Sequence, residues 1–142
     1  MSKISSASDV GTLLEMPISR IMETDAVIME GEKTVLDAIN QMQEKNAKVV
    51  LISHQGEAIG IVSKSDILFK VAAKNLPLNK VKLREIMSSP VYSLPPNSTL
   101  QDALNYMDKY NIKQIIVSTG SSILGILKRA SIYENVQKAS MS

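Results

Sequence analysis

The sequence predicts an α/β fold made of two copies of one β-α-β-β-α unit. Three observations carry that expectation. Sliding the 142-residue chain by 65 positions aligns it with itself without a gap. Within each copy, apolar runs of strand length alternate with stretches whose apolar residues recur at helical spacing. Each copy also closes on the same phrase, a glycine and two apolar residues followed by a helix start. It reads Gly60-Ile61-Val62-Ser63-Lys64-Ser65-Asp66 in the first copy and Gly125-Ile126-Leu127-Lys128-Arg129-Ala130-Ser131 in the second.

The repeat fixes the organisation. Ile21-Met22 falls on Ile86-Met87, Thr34 on Thr99, Asp37-Ala38 on Asp102-Ala103, Asn46 on Asn111, Lys48 on Lys113 and Ile67 on Ile132. The expected segments are an N-terminal extension (1–17), a first motif (18–75), a linker (76–82), a second motif (83–138) and a disordered tail (139–142). In the extension, Ser5 to Ser8 reads as frayed. Val10, Leu13 and Leu14 suggest a short helix stopped near Met16 by Pro17.

In the first motif, Asp25–Met29 is a short strand ended by Glu30-Gly31. Thr34 caps a helix with Asp37 in its first turn, where a carboxylate suits the positive end. Val35, Ala38, Ile39 and Met42 form the apolar face of that helix. Ala47–Ile52 and Ala58–Val62 read as a hairpin turning at Gln55-Gly56. Ser63 or Ser65 caps the next helix, whose apolar face is Ile67, Leu68, Val71 and Ala72. Pro77 breaks the linker. The second motif repeats the order: strand Val91–Leu94, a turn at Pro95-Pro96-Asn97, a cap at Thr99, and an apolar helix face of Leu100, Ala103, Leu104 and Met107. A hairpin of Ile112–Val117 and Ile123–Leu127 follows, and then a helix begun by Ile132, Tyr133 and Val136.

Composition narrows the function classes. There is no cysteine, hence no disulfide framework and no thiolate metal site. The single histidine, His54, sits at a hairpin turn and reads as exposed and idle. A catalytic reading fails on inventory, with no activated nucleophile, no metal cluster and no histidine near the acids, so the expectation is a non-enzyme without a cofactor. The charge of +2 is too weak to argue for nucleic acid by itself. No apolar run approaches the roughly 18 residues of a membrane span, and the N-terminus lacks the apolar core of a secretory signal. The expectation is a soluble cytoplasmic protein. Met22, Met42, Met87 and Met107 recur at the repeat offset and read as core fillers.

Each copy resembles a CBS motif, the unit named after cystathionine β-synthase. The residues that carry the resemblance are Ile-Met before the first strand, Thr-x-x-Asp-Ala at the first helix, the apolar hairpin, and Gly60-Ile-Val-Ser63-x-Ser65-Asp66-Ile67. The resemblance covers about residues 18–138. It implies a pseudo-two-fold pair, the Bateman module, that assembles as a disc-like homodimer. It also implies clefts between the motifs that bind AMP, ADP, ATP or S-adenosylmethionine, and a regulatory role toward an unidentified protein effector.

The residues suit such a ligand. One carboxylate, Asp66, can accept from both hydroxyls of a ribose. Ser63, Ser65 and Lys64 offer hydroxyl donors and charge to a phosphate. By resemblance, Ser63 and Ser65 contact phosphate and Asp66 the ribose, while Ser89, Val91, Tyr92 and Ile112 hold the adenine. The same serines and acid also suit an ordinary capped helix start. In the second copy Lys128 replaces the hydroxyl and Ser131 the acid. A second, degenerate site formed by Thr24, Val27, Ala47, Lys128, Arg129 and Ser131 is therefore expected to be weak, empty or tuned to a more anionic ligand. The alternative is a nucleic-acid or protein-interaction module using the basic Lys64–Arg84 region (Lys64, Lys70, Lys74, Lys80, Lys82, Arg84). The scarcity of aromatics there argues against base stacking.

Overall fold

In the computed structural model, which describes residues 6–120 and 122–141, the elements in order are α1 (Ser6–Leu14), β1 (Val27–Glu30), α2 (Val35–Lys45), β2 (Val49–His54), β3 (Glu57–Ser63), α3 (Lys64–Ile67), α4 (Leu83–Ile86), β4 (Ser93–Leu94), α5 (Leu100–Tyr110), β5 (Gln114–Thr119), β6 (Ser122–Lys128) and α6 (Arg129–Ser140). This is the mixed α/β pattern the repeat predicts. The chain forms two compact units. One comprises residues 25–91 with 122–123, and the other residues 6–24, 92–120 and 124–141.

In the first unit, β1 alternates buried Val27 and Met29 with exposed Ile28 and Glu30. It runs parallel to β2, Val27 opposite Val50, and β2 turns back antiparallel to β3, Leu51 opposite Ile61. The turn residues Gln55 and Gly56 both have positive φ, 53° and 83°, as a two-residue hairpin with right-handed twist requires. β2 is the central strand and buries Val50 to Ser53 without alternation, as a strand covered on both faces should. Val35, Ala38 and Met42 of α2 and Val71, Leu83 and Ile86 complete this core.

The second unit repeats the scheme with sheet order β4-β5-β6, β4 parallel to β5. Leu100, Met107, Ile115, Val117, Leu127 and Ile132 form its core, and Ile18 is fully buried among them. α1 packs against α5 and α6. The Ile18 amide donates to the Ser98 carbonyl (2.8 Å) and the Leu100 amide to the Met16 carbonyl (3.0 Å). The N-terminal extension is thus part of the second unit's wall.

Local chemistry sets the helix ends. Thr34 accepts from the Asp37 amide at 3.2 Å while the Asp37 carboxylate accepts from the Thr34 amide at 3.1 Å. Thr99 and Asp102 repeat this with both distances at 3.0 Å. These are reciprocal capping boxes. Asn46 and Asn111 end α2 and α5 in the left-handed conformation, each at φ 51°, a position asparagine tolerates better than most side chains.

The units are out of phase with the repeats. Residues 18–24, which open the first repeat, belong to the second unit; residues 83–91, which open the second repeat, belong to the first. Each segment lies against the last hairpin strand of its unit. Ser88 exchanges two backbone bonds with Ile61 (2.8 and 3.1 Å), and Glu23 exchanges two with Ile126 (2.8 and 3.0 Å). This close approach explains the repeated glycine. A Cβ at Gly60 would crowd the Met87 side chain, and one at Gly125 would run into the Glu23 carbonyl.

Several expectations are corrected. α6 runs to Ser140, past the expected end at Lys138, because no glycine or proline stops it and the Ser140 hydroxyl donates to the Gln137 carbonyl at 2.9 Å. α1 already includes Ser6 to Ser8, expected to fray; Ser5 and Ser142 lie outside the described residues. Strand β4 is only Ser93–Leu94, shorter than the expected Val91–Leu94, although the Tyr92 carbonyl still accepts from the Ile116 amide at 2.9 Å. After α3 the helix widens into a π turn over Leu68–Ala72, with the Ala73 amide donating to the Leu68 carbonyl at 2.8 Å. The extra residue per turn shifts the expected apolar face, so Val71 stays buried while Leu68 and Ala72 are exposed. Tyr133, near the start of α6, is exposed too.

Candidate functional site

Ser63 is both the last residue of β3 and the cap of α3, with extended backbone at φ −103°, ψ 168°. Its hydroxyl accepts from the Asp66 amide at 3.1 Å, so Ser63, not Ser65, is the cap. The Asp66 carboxylate answers through Oδ2, which accepts from the Ser63 amide at 2.8 Å and the Ser63 hydroxyl at 3.1 Å. Its other oxygen, Oδ1, lies 3.0 Å from the Lys70 ammonium. That ammonium also donates to the Ile86 carbonyl at 2.9 Å. The Asp66 side chain keeps 14% of its exposure and Lys70 keeps 42%. A carboxylate offers about four acceptor positions, and three of these are filled. Lys64 and Ser65 are exposed beside this group.

At the equivalent point of the second unit the capping box is gone. Lys128 stands at the cap position before α6 and makes no side-chain cap hydrogen bond. The Lys128 ammonium lies 3.2 Å from a Glu23 carboxylate oxygen instead. Ser131 takes the place of the acid, and its carbonyl accepts from the Asn135 side-chain amide at 2.7 Å. Lys113, Lys128, Arg129 and Tyr133 border a concavity of about 620 Å³. Two of its members, Lys128 and Arg129, are residues expected at the degenerate site.

The other expected residues fall as follows. Ser89 and Val91 lie in the first unit with Ser63 and Asp66, on the segment that pairs with β3 through Ser88. Tyr92 and half-buried Ile112 lie in the second unit, as do Thr24, Lys128, Arg129 and Ser131. Ala47 is half-buried in the first unit, and Val27 is in its core at 5% exposure. Tyr92 stacks on Tyr110 (centroids 4.6 Å apart) and meets the edge of Tyr106 at 6.0 Å. Sequence reading named Tyr92 alone. Tyr106 and Tyr110, one helical turn apart on α5, were a signal available in the spacing.

Lys70 and Ile86 were also missed as site elements. Lys70 is the i+4 partner of Asp66, a spacing that favours an ion pair. The basic stretch is less free than its composition suggests. The Lys82 ammonium and the Arg84 guanidinium reach the two oxygens of Glu32 at 2.7 and 2.6 Å, and Lys70 pairs with Asp66. The hydrogen bonds from Lys82 and then Arg84 hold the Glu32 carboxyl below its ordinary value of 4.5. His54 is exposed at the end of β2. No helix among the described residues is long and apolar enough to cross a membrane.

Comparison with known proteins agrees with this architecture. The family model for the CBS domain matches residues 18–73 and 83–138. An uncharacterised Methanocaldococcus jannaschii protein, MJ0450, is 30% identical over 116 residues, covering 80% of this chain and 62% of that protein. The A-adding tRNA nucleotidyltransferase of Aquifex aeolicus is 25% identical over 88% of this chain but only 15% of the enzyme. The chain thus spans less than two thirds of either relative. Among solved structures, the hexameric CBS-CP12 protein of bloom-forming cyanobacteria matches with a TM-score of 0.74 and 27% identity, over 84% of this chain and 67% of that one.

Proposed function

The chain belongs to the CBS domain family, with two copies in tandem, and from that membership we propose that it is a ligand-sensing module, not an enzyme, which binds an adenosine compound through Ser63 and Asp66. Tandem CBS domains are regulatory modules that commonly bind adenosine ligands. The observation that carries the reading here is the Asp66 carboxylate. It is partly buried, flanked by a hydroxyl and an ammonium, and oriented from both sides by Ser63 and Lys70. A preoriented carboxylate with one open acceptor position and one held by a displaceable ammonium suits a ribose diol, which AMP, ADP, ATP and S-adenosylmethionine share. The second unit has no acid at this position, so the two copies bind unequally, with Lys128 and Arg129 favouring phosphate.

The reading places the protein in the cytoplasm, where adenine nucleotides are made and used. A second copy of the chain is the favoured partner. Leu68 and Tyr133 occupy equivalent repeat positions and are both exposed, at 55% and 68%, and Leu76 and Met141 form a second such pair.

Melting curves with AMP, ATP and S-adenosylmethionine test the proposal. A ligand at 100 times its dissociation constant adds about 2.7 kcal/mol of stability. Asp66→Ala removes most of that gain and Ser131→Ala does not. A melting temperature unmoved by any adenosine compound refutes the reading.

A further inference from the structure

We infer that Lys70 is a positioning residue that yields its place on Asp66 to the ligand's hydroxyls and so transmits occupancy to the Met87–Ser88 segment; this rests on the reading of Asp66 given above. Three of about four acceptor positions on Asp66 are filled, and a vicinal diol needs two. One existing partner must leave. The Ser63 amide is fixed in the backbone, and the Ser63 hydroxyl also accepts from the Asp66 amide. Lys70 is the exposed partner on a flexible stem, carried by the π turn.

Its other contact is the Ile86 carbonyl, at the last residue of α4. Met87 and Ser88 follow at once. The Met87 amide donates to the Leu83 carbonyl at 3.0 Å and the Ser88 amide to the Ile61 carbonyl at 2.8 Å. One ammonium therefore joins the Asp66 carboxylate to the segment beside β3. The second unit lacks this link. At the same offset stand Ser131 and Asn135, joined by an uncharged local bond, and Glu23 is held by Lys128 directly. Occupancy at Asp66 withdraws one of the two anchors that hold Lys70 over Ile86, and the segment loosens.

Hydrogen exchange at the Met87 and Ser88 amides, referenced to β2 amides, tests this on the full chain. Without ligand, Lys70→Met raises exchange at both amides several-fold, while Lys70→Arg keeps them as in the wild type. Saturating AMP raises exchange at both in the wild type and in Lys70→Arg, and leaves Lys70→Met unchanged at AMP concentrations shown by calorimetry to saturate each protein. Wild-type exchange in the ligand-free Lys70→Met protein overturns the tether. An AMP response in Lys70→Met equal to the wild type's, or a wild type that binds AMP with no loosening, overturns the coupling. A wild-type melt unmoved by AMP, ATP or S-adenosylmethionine removes the functional reading and the coupling with it, while the ligand-free comparison still judges the tether.

Discussion

Gly60 is covered by the side chain of Met87, whose sulfur, Cγ and Cβ are the first three atoms that a methyl group at Gly60 would meet. At Gly125 the first atom met is the Glu23 backbone carbonyl oxygen. A side chain can move aside and a paired backbone cannot. Gly60→Ala is expected to destabilise by about 1–3 kcal/mol, the usual range for overpacking. Gly125→Ala is expected to cost more. Met87→Ala added to Gly60→Ala removes two of the three crowding atoms and recovers part of the loss. Urea unfolding of the four proteins checks the order.

Capping and ligand binding separate by comparing equivalent caps. Ser63→Ala, Thr34→Ala and Thr99→Ala each remove one cap hydroxyl and are expected to lose about 0.5–2 kcal/mol. Only the Ser63 and Asp66 variants should also lose the melting shift produced by adenosine compounds. Equal loss of that shift in Thr34→Ala would show that Ser63 matters only as a cap.

The Asp37 carboxyl is held below its ordinary value of 3.8, first by the hydrogen bond from the Thr34 amide and then by the Thr34 hydroxyl. A native value lower than the unfolded one adds stability above the unfolded value and loses it as pH falls through the native one. The melting difference between the wild type and Asp37→Asn should therefore be present at neutral pH and close below about pH 3.8. A difference that stays constant to pH 2–3 contradicts the assignment.

Glu32 pairs with both Lys82 and Arg84 across a loop and offsets one of their two charges. The wild-type chain is expected to show no salt-dependent shift of DNA or RNA in gels, and Glu32→Gln to gain weak binding at low salt only. Tight, salt-dependent binding by the wild type would favour the nucleic-acid alternative.

Association with a second copy is tested by light scattering after chromatography. Leu68→Lys with Tyr133→Lys is expected to lower the mass to that of one chain, keep a cooperative melt, and remove the dependence of the melting temperature on protein concentration. Loss of folding in both single variants would place these residues in a core instead.

Much of the fold was legible because its signals are local. Thr34 with Asp37 and Thr99 with Asp102 announce helix starts, and Gln55-Gly56 announces a hairpin. The repeat offset ties these into two copies. What escaped was set by packing. The π turn after Ile67 has no pattern of its own and exposes Leu68 against the helical period. The candidate site was half legible. Ser63 and Asp66 could be named from the phrase they sit in, but not the Lys70–Ile86 contact, which joins residues sixteen apart through a side chain and a carbonyl. Nor could composition show that half of the six cations between Lys64 and Arg84 are paired, since one partner, Glu32, lies far upstream.

The opening segment of each repeat completes the sheet neighbourhood of the other copy's hairpin: Ser88 seals Ile61, and Glu23 seals Ile126. A fragment cut at the repeat boundaries would therefore leave an edge strand bare and a glycine facing water, whereas residues 25–91 carry their own seal. A chain with one repeat could satisfy itself only by trading arms with another chain. Tandem duplication places both sides of that trade on one chain.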